Sequence, residues 1–169
     1  MANLPKKIII HHSYSPDNRQ INDWESTRRY HMSWRHNDIS IPAAEAKMLM
    51  AAGVDVIPPW KDIGYHAGQE RENGKLIRRI GRPETMTGAH CSQQGMNSRS
   101  LGYCFVGCYD RVPPTDYELG FAAEWLADWI RKYRLTVNDI EPHSKYAAKS
   151  CPGTVFPMDK LRQMVGERI

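Results

Sequence analysis

At 169 residues the chain suits one domain, able to bury about two-thirds of the surface that its unfolded form exposes. Its 41% apolar and 25% charged residues exclude a disordered chain, and the lack of any apolar run of spanning length excludes a transmembrane one. The net charge of +4 sits in scattered pairs such as Arg28-Arg29, Arg78-Arg79 and Arg131-Lys132. That predicts a mild attraction to polyanions, wall polymers included, and no specific nucleic-acid partner.

Residues 6–11 read as a short, buried, β-branched strand. Residues 24–34 follow as a helix with Trp24, Arg28, His31 and Arg35 on one side. A second helix is predicted over 42–52, opened by Pro42, carried by an Ala- and Met-rich run and closed by Gly53. Pro58-Pro59 breaks regularity. Residues 65–70 and 75–80 look like paired strands turned at Asn73-Gly74. Residues 101–109 are the expected central strand. Thr115 and Glu118 make a capping box for a helix whose apolar stripe is Leu119, Ala122, Ala123, Leu126, Trp129, Ile130 and Tyr133. A short helix over 156–165 closes the chain. Strands interleaved with helices imply an α/β arrangement around a mixed sheet.

Two ends of the chain carry chemistry. His11, His143 and Cys151 offer two imidazoles and a thiol, a set suited to a catalytic zinc with an open fourth position, and Lys149 supplies a nearby cation. Cys151 precedes Pro152, which favours extended backbone. An extended 149–151 segment would point Lys149 and Cys151 the same way. Spacing alone does not vouch for this set, because no CxxC or HExxH pair is present. A strand-end His and a turn Cys are the ordinary alternatives. The four cysteines read as thiols or ligands rather than a disulfide framework, with Cys104 in the core. A second metal site from His90, Cys91 and Cys108 lacks paired-ligand spacing.

Asp62-Ile63-Gly64-Tyr65-His66 resembles the D-x-G-Y-H signature of the type 2 N-acetylmuramoyl-L-alanine amidases, a family that includes peptidoglycan recognition proteins and small phage lysozyme-amidases. Ile9-Ile10-His11-His12-Ser13 is similar to its first zinc-ligand strand. His143, Lys149 and Cys151 are similar to its closing H-x5-K-x-C arrangement. Gly88-Ala89-His90 and Asn97 to Gly102 resemble the segment beside its substrate groove. The resemblance implies a zinc groove at one edge of the sheet. It implies one zinc ion on His11, His143 and Cys151, catalytic roles for Tyr65 and Lys149, and His90, Asn97 and His66 as candidate substrate contacts. Either His12 or His66 is expected to pack or bond to backbone instead.

Two features depart from the family pattern. The gap between His11 and Tyr65 is long, with the extra length placed at 35–60. The third ligand is Cys151, where the cytosolic muropeptide-recycling branch has Asp. The function implied is a monomeric peptidoglycan amidase of endolysin type. The alternatives are a non-catalytic recognition module and the recycling enzyme. With no signal-peptide core near Ile8-Ile9-Ile10, synthesis in the cytoplasm is expected, with the wall reached after lysis or release.

Overall fold

The computed structural model describes residues 4–13 and 23–169. Among these described residues, seven strands and four α-helices follow in the order β1 Lys7–His12, α1 Trp24–His31, β2 Trp34–His36, β3 Ile39–Ile41, α2 Ala43–Ala51, β4 Ala67–Glu72, β5 Lys75–Ile80, β6 Ser100–Phe105, α3 Asp116–Tyr133, β7 Ile140–Pro142 and α4 Met158–Gly166. Five strands form one mixed sheet in the order β5-β4-β6-β1-β7. The β4–β5 pair is antiparallel; β4–β6, β1–β6 and β1–β7 are parallel. The architecture is therefore α/β with helices flanking a central mixed sheet. Among the described residues no helix is long and apolar enough to cross a membrane.

Alternation along the strands sorts the two faces. Ile8 and Ile10 of β1, with Leu101, Tyr103 and Phe105 of β6, join Leu119, Leu126, Trp129 and Ile130 of α3 and Leu161 and Val165 of α4 in the main core. The intervening Cys104 faces a smaller cluster with Trp24 of α1, Ile63 and Tyr65. Gly68 of β4 makes that packing possible, since a Cβ there would lie 2.4 Å from the Trp24 ring. The α3 capping box forms as its sequence predicts: Thr115 Oγ1 accepts the Glu118 N–H, and Glu118 accepts the Thr115 N–H. The Asn73-Gly74 turn also forms, with φ values of 49° and 79°.

Three expectations need correction. The first helix stops at His31, because Trp34–His36 pairs with Ile39–Ile41 around Asn37 and Asp38. Their φ values of 49° and 60° are those of a two-residue hairpin turn. Arg35 is therefore a strand residue, joined across to Ile57 by an isolated bridge. The central strand ends at Phe105, short of the expected 109, and Gly107 follows with φ 145°. Strand β7, three residues ending in proline, was not among the predicted elements.

Candidate active site

Register brings the distant candidate ligands together. His11 lies near the end of β1, and Pro142 of β7 stands opposite Ile10. The next residue, His143, thus comes level with His11, and their rings are 4.5 Å apart. Both lie at the carboxyl ends of parallel strands, where open α/β sheets place ligands, with His143 directly after the outermost strand. Cys151 arrives on a turn whose Cys151 carbonyl accepts the Ser144 N–H at 2.7 Å. Its sulfur accepts the His12 N–H at 3.4 Å.

The donor atoms of His11, His143 and Cys151 all lie within 4.8 Å of one another. Cys151 Sγ is 3.7 Å from His11 Nδ1. A tetrahedral zinc with Zn–S about 2.3 Å and Zn–N about 2.05 Å sets those two atoms about 3.6 Å apart. The donor set and this spacing both fit zinc. Burial holds His11 well below its ordinary value. Burial, then the Lys149 charge, brings His143 to about 4. Both imidazoles are therefore neutral and available as ligands at pH 7. Burial pushes the Cys151 thiol up to about 12, so its ionisation depends on an incoming cation.

His90 fixes the orientation of His11. Its Nδ1 lies 3.0 Å from His11 Nε2. With His11 Nδ1 turned to Cys151, the Nε2–H of His11 donates to His90, the usual second bond of a metal-ligating imidazole. The His90 ring lies over bare backbone: a Cβ at Gly102 would stand 2.7 Å from it, and one at Gly88 2.5 Å. Asn97 Oδ1 accepts the amides of His90 and Cys91, both at 2.8 Å, and so holds the loop that presents His90.

A model of the N-acetylmuramoyl-L-alanine amidase family matches residues 1–154. The chain belongs to that family. Solved structures of the same fold include the N-acetylmuramoyl-L-alanine amidase LysC from Clostridium intestinale URNW, with TM-score 0.62 and 22% identity over 96% of this chain and 86% of that one. The Ph2119 endolysin of the Thermus scotoductus MAT2119 bacteriophage gives 0.61 and 18%, over 95% and 84%. Drosophila PGRP-LB gives 0.57 and 22%, over 89% and 76%. Comparison with curated protein sequences gives no match.

In this amidase-family chain the cluster opens into a cavity of about 1020 Å³ that Tyr65, His90 and Lys149 also border. The Tyr65 ring is 5.0 Å from that of His11, and burial raises its phenol well above the ordinary value, so it is a proton donor at neutral pH. Lys149 is exposed at the rim. The 149–151 segment is not extended but a succession of turns, with the Lys149 N–H bonded to Ala147 O and the Gly153 N–H to Ser150 O. Lys149 and Cys151 share the cavity through that winding.

His66 and Asn97 do not border the cavity. His66 Nδ1 accepts the Gly102 N–H at 3.0 Å, which leaves its Nε2–H to donate to Met86 O. Both ring nitrogens serve backbone. His12 packs too, accepting the Tyr109 N–H at Nδ1. His90, Cys91 and Cys108 form no metal group: Cys91 faces Gln93 and Cys108 faces Asp110. Among the described residues, His11, His143 and Cys151 are the one set placed to hold an ion. All four cysteines are free thiols.

Sequence reasoning missed the opposite wall, where Tyr30, His31, Arg35, Asp38 and Trp60 border the cavity. His31 accepts the Gly64 N–H at Nδ1, 3.1 Å away, and burial lowers it to about 3. Its ring lies 4.7 Å from Trp60 and 5.5 Å from Tyr65. The available signal was the Asn37-Asp38 pair, a turn former that argues against helix through residue 34.

Proposed function

We propose that the protein hydrolyses the amide between the lactyl carboxyl of N-acetylmuramic acid and the L-alanine of the peptidoglycan stem, with one zinc ion held by His11, His143 and Cys151. One observation carries this reading: a thiol and two neutral imidazoles share a centre beside a protonated phenol and an ammonium, all on one cavity. An ion bound there supplies Lewis acidity toward a carbonyl and makes water more acidic. Tyr65 donates a hydrogen bond to the carbonyl oxygen as negative charge builds on it. Lys149 places a positive charge at the same mouth. Each such preorganised donor is worth about 3 kcal/mol of barrier. His90 keeps His11 in the tautomer that frees Nδ1.

An endolysin of a phage or prophage, made in the cytoplasm and acting on the wall after release, is the setting we infer. In support, similar structures include two named as endolysins. The recognition proteins of the same fold favour a second reading, binding without cleavage. The presence of Cys151, Tyr65 and Lys149 together supports the enzyme. Purified protein given intact sacculi decides between them. New N-terminal alanine that disappears on chelation and returns with zinc is expected. Retention on sacculi with no alanine released would leave only the binding module, and turnover confined to soluble muropeptides would point to recycling.

A further inference from the structure

Arg35 is buried, 3% exposed, on the wall of the cavity built by the β2–β3 hairpin. Its guanidinium lies 4.2 Å from the Trp60 ring centre and 5.3 Å from that of Tyr30. Backbone bonds in both directions to Ile57, at 2.9 and 2.8 Å, lock the strand that carries it. The side chain's donors are nonetheless almost unused. Among the described residues its one acceptor is Pro58 O at 3.5 Å, at the limit of a hydrogen bond, and the buried Nε has none. Among the described residues no carboxylate forms an ion pair with it, although the Asp38 charge acts on it at longer range.

Such an arrangement is costly unless something completes it. Removing an ion from water is costly. A desolvated cation–π contact returns only part of that cost. A planar fork held against an aromatic ring with idle N–H groups is shaped for bidentate capture of a carboxylate. Aromatic rings connect it to the metal ligands: Trp60 meets His31 at 4.7 Å, His31 meets Tyr65 at 5.5 Å and Tyr65 meets His11 at 5.0 Å. An extended peptide advances about 3.4 Å per residue, so a stem of a few residues leaving the cleaved amide can reach along this wall.

The substrate's chemistry selects the ligand. The muramic carboxyl is consumed in the amide that is cut, and the sugar's remaining hydroxyl and acetamide groups are neutral. The free acids lie on the stem. We propose that Arg35 is the receptor for a free carboxylate of the stem peptide, so that the chain distinguishes stems bearing that acid from stems in which it is capped as an amide. The proposal rests on the amidase reading for the identity of the substrate.

Calorimetric titration tests it with two synthetic stem peptides, one with free acids and one with each acid converted to carboxamide. The intact chain is expected to bind the free-acid peptide at least tenfold more tightly. Arg35→Met should erase that preference while leaving affinity for the capped peptide unchanged. Equal affinity for both peptides in the unaltered chain, no binding of either, or a preference surviving in Arg35→Met would overturn the assignment. Should Arg35→Met fail to fold, the Arg35 Nε–H resonance of the unaltered chain decides: a large shift with the free-acid peptide alone supports the proposal, and an unmoved resonance ends it. Neither measurement needs hydrolysis. Binding through Arg35 without alanine release from sacculi would sink the amidase reading alone, and alanine release without acid preference would sink this proposal alone.

Discussion

Gly102→Ala adds one methyl group on β6 directly beneath the His90 ring. The new Cβ would stand 2.7 Å from His90 Cγ and 2.8 Å from Cδ2. Ordinary carbon contacts begin near 3.5 Å, so the ring must retreat by about 0.8 Å. The strand cannot yield instead, because the Gly102 amide and carbonyl are both bonded to His66. The His11–His90 bond starts at 3.0 Å, and a retreat of that size exceeds the tolerance of a hydrogen bond. Loss of such a partner weakens metal binding by about 10–100-fold, or roughly 1.4–2.7 kcal/mol. Overpacking adds about 1–3 kcal/mol of destabilisation, a fall in Tm of about 2–12 °C. Zinc affinity by chelator competition and a thermal melt measure the two effects. His90→Ala should reproduce the affinity loss, and the double variant should lose no more than His90→Ala alone. Wild-type affinity in Gly102→Ala, or an equal further loss in the His90→Ala background, would refute the coupling.

Cys151→Ala is expected to abolish both zinc binding and alanine release, measured by metal analysis and by the sacculus assay. Lys149→Ala should keep zinc at full stoichiometry while kcat falls by about 100-fold; loss of zinc as well would reassign the residue. Glu84 offers a test of acid stability. Burial raises its pKa, but Lys132, Tyr133 and Trp129 together bring it below the ordinary 4.5. A depressed folded-state pKa gives stability that is complete above the unfolded value and lost as pH falls through the folded one. Glu84→Gln should therefore lower stability by about 1–3 kcal/mol at pH 7, with the gap to the unaltered chain closing below pH 4.5 in urea melts.

The sheet's inner strands were legible because alternation and burial act on the same residues: Ile8 and Ile10 face one core while His11 faces the other side. The α3 stripe and its capping box follow from local spacing alone. What escaped was set by pairing at a distance. Strand β7 is three residues long and exists because β1 pairs with it. The β2–β3 hairpin was hidden because His31 and Arg35 are four apart, a helical spacing, although the chain has left the helix between them. Donor types and family order singled out His11, His143 and Cys151, and the coordinates bring them together. No pattern in the sequence distinguishes a histidine such as His66, which serves backbone, from one such as His90, which braces His11. That difference lies in what the ring nitrogens meet: Gly102 N–H and Met86 O for His66, the His11 ring for His90.

His143 follows the outermost strand of the sheet, while Cys151 and His11 lie 140 residues apart along the chain. Edge strands are where native proteins fray, and anything that binds only the closed form opposes the fraying. An ion at this centre would thus clasp the sheet's margin, and saturating zinc should slow deuterium uptake at Ile140 and Glu141 more than at the buried amides of β6.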